Sequence, residues 1–221
     1  TFMLPGCYFF KNYDRIIHSD KNLCNKNYAD KIIEEINLKS NSIIIIGGRT
    51  PLYLTNLLFD NFEGGREAEN LYYKNFTTDL KNYSLRNSFY DSINAIKPRN
   101  DIILIYPIPE VGWNVPEIFY KKNFLNILFK RELSIISTSY ERFKERTKEA
   151  FKLLDGIDQD SNGQKNIYRF YPHEIFCNSD LSNRCVATSK EVIFYSDDDH
   201  LSFDGARLFS NKLIELINKI H

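Results

Sequence analysis

From Lys26 to Lys39 the apolar positions Tyr28, Ile32, Ile33 and Ile36 recur at helical spacing, and Lys and Glu fill the other face. That spacing predicts an amphipathic helix. The pattern then changes abruptly to Ile43-Ile44-Ile45-Ile46, a continuous β-branched run stopped by Gly47-Gly48, as expected of a strand buried on both faces of a parallel sheet. A second helical period covers Ser84 to Ile96, with Leu85, Phe89, Ile93 and Ile96 on one side and Pro98 to end it. A second buried strand, Ile102 to Tyr106, is closed by Pro107. Lys121–Arg131 and Ser139–Leu154 read as further helices, Ile167–Tyr171 and Val192–Tyr195 as short strands, and Phe203–Ile220 as a closing helix.

Helix and strand in alternation predict an α/β fold, a three-layer α/β/α sandwich with a mainly parallel sheet. There is no internal repeat. The Gly-bearing polar stretches at Asn61–Arg66 and Gly156–Asn166 are too short to separate domains, so residues 1–221 are expected to form one. In such folds ligands sit at the carboxyl ends of strands. That rule directs attention to Gly47-Gly48-Arg49, to Pro107–Trp113 and to Asp197–His200.

Composition narrows the function classes. Lys plus Arg number 29 and Asp plus Glu 29, so the formal net charge is zero. Bulk nucleic-acid binding, which rests on a basic surface displacing counterions, is not expected. No apolar run reaches the ~18–20 residues of a membrane span. The four cysteines fall as two local pairs, Cys7 with Cys24 and Cys177 with Cys185, without the paired C-x-x-C knuckles of a zinc ribbon. Two disulfides and an oxidising compartment are the natural reading; four buried thiols in a reducing compartment are the competing one.

The sharpest chemical signal is Tyr195-Ser196-Asp197-Asp198-Asp199-His200-Leu201-Ser202, between a predicted strand and a predicted helix. A loop leaving a strand can set an Asp and a His three residues apart so that the carboxylate bonds one ring nitrogen while the other faces a nucleophile. Helix N-terminal charges, a solvated loop, or a metal site drawing on Asp198, Asp199 and Asp204 are the alternatives. Asp158 to Gly163 looks like half a calcium loop, but its twelfth position is Arg169, which favours a plain polar turn. His18, His173 and His221 stand alone and read as surface residues. Trp113, in a loop after a strand end, could stack on a sugar or pack on its own loop.

The ending Phe194 to Ser202, followed by Gly205-Ala206, resembles the D-x-x-H-L-S block that closes SGNH-type hydrolase domains. More particularly, it is similar to the SGNH domain fused behind the membrane-embedded acyltransferase-3 module of bacterial O-antigen and polysaccharide O-acetyltransferases. Pro5-Gly6-Cys7 with Cys24 resembles that family's Gly-Cys turn and partner cysteine. Ile43 to Thr50 with Leu52-Tyr53 resembles its strand ending in a small-small-Arg step, and Cys177 and Cys185 match its later cysteine pair. The resemblance implies that Asp197 and His200 belong to a catalytic triad and that Gly6 offers a backbone N–H to an oxyanion. Arg49 stands where many of these enzymes carry Asn, so it is expected to donate to the oxyanion, bind an anionic acceptor, or form an ion pair.

The family's Gly-Asp-Ser block has no counterpart in these residues, so the nucleophilic Ser and its first strand are expected upstream of Thr1, and the chain alone is expected to be inactive. The expected activity is transfer of an acyl group, acetyl by the resemblance, to a hydroxyl of a surface glycan. Acyl-CoA is the implied donor of the full-length protein, with no cofactor held in this domain and no metal. The implied partners are the glycan acceptor and an upstream transmembrane module in the same chain, and the implied location is the periplasm. A secreted SGNH carbohydrate esterase and a non-catalytic glycan-binding module using Trp113 are the rival readings.

Overall fold

The computed structural model describes residues 7–17, 20–67, 75–96, 99–157 and 167–220. Its elements run β1 (Asp14–Ile17), β2 (Asp20–Cys24), α1 (Tyr28–Asn37), β3 (Ile43–Ile46), α2 (Thr50–Thr55), β4 (Asn75–Thr77), α3 (Leu85–Asn94) and β5 (Asp101–Ile105). They continue α4 (Val115–Leu128), β6 (Ser137–Ser139), α5 (Tyr140–Asp155), β7 (Ile167–Phe170), α6 (His173–Phe176), β8 (Arg184–Val186) and α7 (Phe203–Ile220). The chain divides into two compact units. The first comprises residues 1–56, 69–105 and 149–169, the second 57–68, 106–148 and 170–221. No helix among the described residues is long and apolar enough to cross a membrane.

The expected α/β class is found. A three-stranded sheet has the order β3-β5-β7, with β3 and β5 parallel in the register Ile43↔Asp101 to Ile46↔Leu104. Burial on both faces belongs to β5 alone, where Ile102, Ile103 and Leu104 are wholly enclosed. The same expectation for β3 is corrected: Ile43 and Ile44 are half-buried and Ile45 is 47% exposed, leaving only Ile46 in the core. The reason is position, since among the described residues β3 stands at the end of the strand order and pairs with β5. Two antiparallel sheets, β2-β1-β4 and β6-β8, accompany the parallel one, and the hydrophobic pattern announces neither.

In the first unit, α1 buries Ala29, Ile33 and Ile36 as its period requires. The hydroxyl of Ser84 caps α3 by accepting from the Asn87 amide, and the helix buries Phe89 and Ile93. Pro98 lies outside the described residues. The Cys7–Cys24 disulfide anchors a run of buried aromatics, Tyr8-Phe9-Phe10. Tyr8 packs against Phe10, Tyr53 and Phe89, and its hydroxyl lies 2.7 Å from Thr50 Oγ1. Burial pushes the Tyr8 phenol far above its ordinary range, so it serves as a neutral hydrogen-bonding group.

In the second unit the core gathers Val111, Val115, Phe119, Ile136, Phe176, Val186, Phe194 and Tyr195. The second disulfide, Cys177–Cys185, joins residues that also face each other in an antiparallel bridge. The predicted strand Val192–Tyr195 does not form a ladder. Ile193 bridges Thr188 and Tyr195 bridges Leu201 singly, because Phe194 donates to Ala187 on one side and accepts from Ser202 on the other. Helix α4 starts six residues before the expected Lys121, since the Asn114 side chain caps it and a proline opens it. His173, expected at the surface, is half-buried and stacks on Phe143 at 5.2 Å; burial lowers its pKa.

One charged pair is buried here. Arg146 Nε donates to Glu110 Oε2 at 2.6 Å, with each side chain 6% exposed. Because removing one partner strands the other charge, Arg146→Ala should cost about 3–5 kcal/mol, whereas Glu110→Leu combined with Arg146→Met should cost far less, as urea denaturation will read. The disulfides give a second expectation. Replacing either pair by alanines should lower the unfolding free energy by about 2–4 kcal/mol, and thiol titration of denatured, unreduced protein should find no free thiol.

Candidate functional site

The segment from Tyr195 to Gly205 is built as a closed turn on a helix cap. Tyr195 and Leu201 bridge, Ser196 N donates to the His200 carbonyl at 2.8 Å, and Ser202 Oγ donates to Ile193 O while accepting from Gly205 N. Gly205 is demanded by close approach: a Cβ there would sit 2.1 Å from the Phe194 carbonyl oxygen. The Ser and Gly of the motif therefore seat the first turn of α7, and the turn in front of it carries the acids and the imidazole.

Within that turn the Asp197 carboxylate does three things. Oδ1 accepts from the backbone N–H of His200 at 2.7 Å and of Asp199 at 3.0 Å, and Oδ2 lies 2.9 Å from His200 Nδ1. The two backbone bonds form an Asx turn that fixes the carboxylate before it meets the ring. Asp199 Oδ1 also lies 2.9 Å from Nδ1. The His200 side chain is 73% exposed, Asp197 41% and Asp199 11%. The exposed imidazole thus stands over two more sheltered carboxylates. Burial is the largest influence on Asp197 and opposes its charge, but the Asp199 and His200 amides and the His200 side chain together outweigh it. The net result holds the carboxyl below its ordinary pKa.

The turn is held from behind. The Asp198 carbonyl accepts from Val111 N at 2.9 Å and Gly112 N at 3.1 Å, and Tyr195 Oη donates to Pro109 O at 2.7 Å. The loop that supplies those amides is itself pinned by Asn61, which is buried. Its Nδ2 donates to Val111 O at 2.8 Å while its Oδ1 accepts from Glu63 N and Gly65 N. A chain of hydrogen bonds therefore runs from Asn61 through Val111 and Asp198 to the turn holding Asp197 and His200. Sequence reasoning passed over Asn61; the Asn-x-x-Gly-Gly spacing of an Asx-type loop is the signal that marks it.

Asp197 and His200 are brought together as expected. Asp199, considered in the sequence only as a metal ligand, is drawn to the same ring nitrogen. Asp197, Asp199 and His200 offer ligand atoms within 4.8 Å of one another, and they are the one such group among the described residues. Asp197 and Asp199 both approach His200 Nδ1, and Asp197 also accepts from two backbone amides. Trp113 is half-buried; its indole lies against Gly65 and the Lys122 ammonium stands 5.5 Å from the ring centroid. Arg49 belongs to the other unit, where it precedes the first residue of α2 and is half-buried. Beside it, Gly48 makes room for the Tyr8 ring, which a Cβ would meet at 2.9 Å. Gly6 and the calcium-like stretch Asp158–Gly163 lie outside the described residues, as do His18 and His221.

A family model described as "SGNH domain (fused to AT3 domains)" matches residues 1–215. No curated protein matches the chain. Among solved structures the chain is similar to one described as "Structure of Salmonella ser. Paratyphi A lipopolysaccharide acetyltransferase periplasmic domain", with 17% identity, a TM-score of 0.47, and coverage of 89% of this chain and 62% of that one. The chain thus spans less than two thirds of that structure's length.

The lowered pKa of Asp197 makes an acid-side signature. Its ionised form stabilises the folded chain fully above the unfolded value of 3.8, and that contribution is lost as pH falls through the lower folded value. Asp197→Asn should therefore be less stable than the parent at neutral pH, with the gap closing below pH 3.8. Urea midpoints measured across pH will show it, and a gap independent of pH would count against the assigned geometry.

Proposed function

The chain belongs to the family of SGNH domains fused to AT3 domains, and from that premise we propose that it is the SGNH part of a membrane O-acyltransferase acting on a surface glycan. The observation that carries the reading is the contact of Asp197 Oδ2 with His200 Nδ1 at 2.9 Å. A carboxylate there selects the tautomer with hydrogen on Nδ1, which makes Nε2 the base. Nε2 takes the proton of a serine hydroxyl as that oxygen attacks an acyl carbonyl, and returns it to the leaving group. In the second half-reaction it takes the proton of the acceptor sugar hydroxyl, which attacks the acyl-serine and releases the serine. Asp197, with Asp199 beside it, stabilises the imidazolium formed between these steps.

The serine is proposed to come from sequence outside these residues, and this chain alone to be inactive for that reason. Gly6 and Arg49 are proposed as donors to the oxyanion or holders of the acceptor, and Trp113 as part of the substrate rim. Acyl-CoA, acetyl-CoA in the simplest case, is the proposed donor to the fused module. The periplasm is the proposed location; two disulfides favour an oxidising compartment.

The test uses the full-length protein and reads acyl groups on the isolated glycan by mass spectrometry. His200→Ala should abolish acylation, and Asp197→Asn should reduce it by about 10³-fold or more, both at unchanged protein level. Retained acylation in His200→Ala would overturn the triad, and release of free acid with no acylated glycan in the parent would favour an esterase.

A further inference from the structure

Helix α4 is turned inside out over its second half. The face it buries carries Val115, Phe119 and Asn123, and the Asn123 amide is satisfied there by Ser134, accepting from its N–H at 2.6 Å and donating to its carbonyl at 3.1 Å. At ~100° per residue the opposite face carries Tyr120, Phe124, Leu125, Ile127 and Leu128, and Phe129 follows at the helix end. These six side chains are between 46% and 65% exposed. Single exposed apolar side chains are ordinary, but a contiguous cluster of this size marks an interaction surface.

The charges around the cluster identify its partner. Tyr120 to Arg131 reads YKKNFLNILFKR, with Lys121, Lys122, Lys130 and Arg131 and no acid. The whole chain has zero net charge, so this excess is local. None of the four cations pairs with a described acid; Lys122 stands over Trp113 and Arg131 over Phe129. In sequence the flanking acids are Glu117, on the same side of the helix four residues before Lys121, and Glu132, which is engaged by Lys190. A helix face that is apolar and aromatic, with Lys121 within it and Lys122, Lys130 and Arg131 around it, is complementary to a bilayer bearing anionic headgroups, where the rings and alkyl chains enter the interface and the cations meet phosphate.

We infer that the outer face of α4, centred on Phe124, Leu125 and Leu128, seats this domain on an anionic lipid surface. This docking needs no contribution from Asp197 or His200 and stands apart from the proposed acyl transfer.

Co-sedimentation of the 221-residue chain with vesicles tests it. The bound fraction on phosphatidylcholine vesicles containing 30 mol % phosphatidylglycerol should exceed that on pure phosphatidylcholine by about tenfold, and should fall in high salt. Two variants separate the contributions. Phe124→Ser with Leu128→Ser should lose binding to both vesicles, and Gln at the four cations should lose only the preference for phosphatidylglycerol. These positions are exposed, so circular dichroism and melting should stay unchanged. Equal, weak binding of parent and variants to both vesicles would overturn the inference. So would light scattering that shows a dimer dissolved by the serine pair, which would assign the face to a second copy of the chain.

Discussion

The carbonyl oxygen of Asp198 receives two backbone amides, Val111 at 2.9 Å and Gly112 at 3.1 Å, and the placement of the candidate site depends on that convergence. Each such bond contributes only about 0.5–1.5 kcal/mol net. Their value is geometric. They bind a turn that would otherwise be a solvated loop to the segment after β5, and the Tyr195 hydroxyl on Pro109 adds a third tie to the same segment. Asp197 then has its carboxylate fixed by two amides before it meets the ring, so little freedom remains for His200 to lose when it orders.

The support of that segment is polar and buried, which raises what is at stake in each contact. Asn61 uses both halves of its amide, and Glu110 and Arg146 form a buried ion pair. A buried polar network that is complete holds one arrangement, and one missing a member destabilises its surroundings. In the first unit aromatic packing takes a larger share of the task. The disulfide at Cys7 delivers Tyr8, Phe9 and Phe10 into a ring cluster with Tyr53 and Phe89, where the Tyr8 hydroxyl is satisfied by Thr50 and the buried Arg15 guanidinium lies over the Tyr53 ring.

Helix α4 shows how local and tertiary constraints can part. Its residues form a helix by any local rule, with an N-cap and a proline at the start, yet the buried stripe of Val115 and Phe119 ends in an asparagine, while Phe124, Leu125 and Leu128 face outward. The fold tolerates this because Ser134 satisfies Asn123, so the inward polar group costs little. The outward face then has no role in holding the monomer together, which is why it can be read as a surface for something else.

The sequence by itself determined the periodic helices α1, α3, α5 and α7, the buried strand β5, the pairing of the four cysteines by proximity, and the Asp197–His200 dyad. These rest on contacts within a few residues or on unbroken apolar runs, and such patterns are written locally. Tertiary structure decided the rest. It placed β3 at the end of its sheet and so exposed Ile45, and it resolved Val192–Tyr195 into single bridges because its neighbours share the backbone groups. It also formed two antiparallel sheets from polar segments with no alternation to announce them. Asn61, Val111, Asp199 and the inverted face of α4 acquired their places the same way. Each depends on a partner far along the chain or on which side of an element is covered, and neither quantity is encoded in the spacing of residues along one segment.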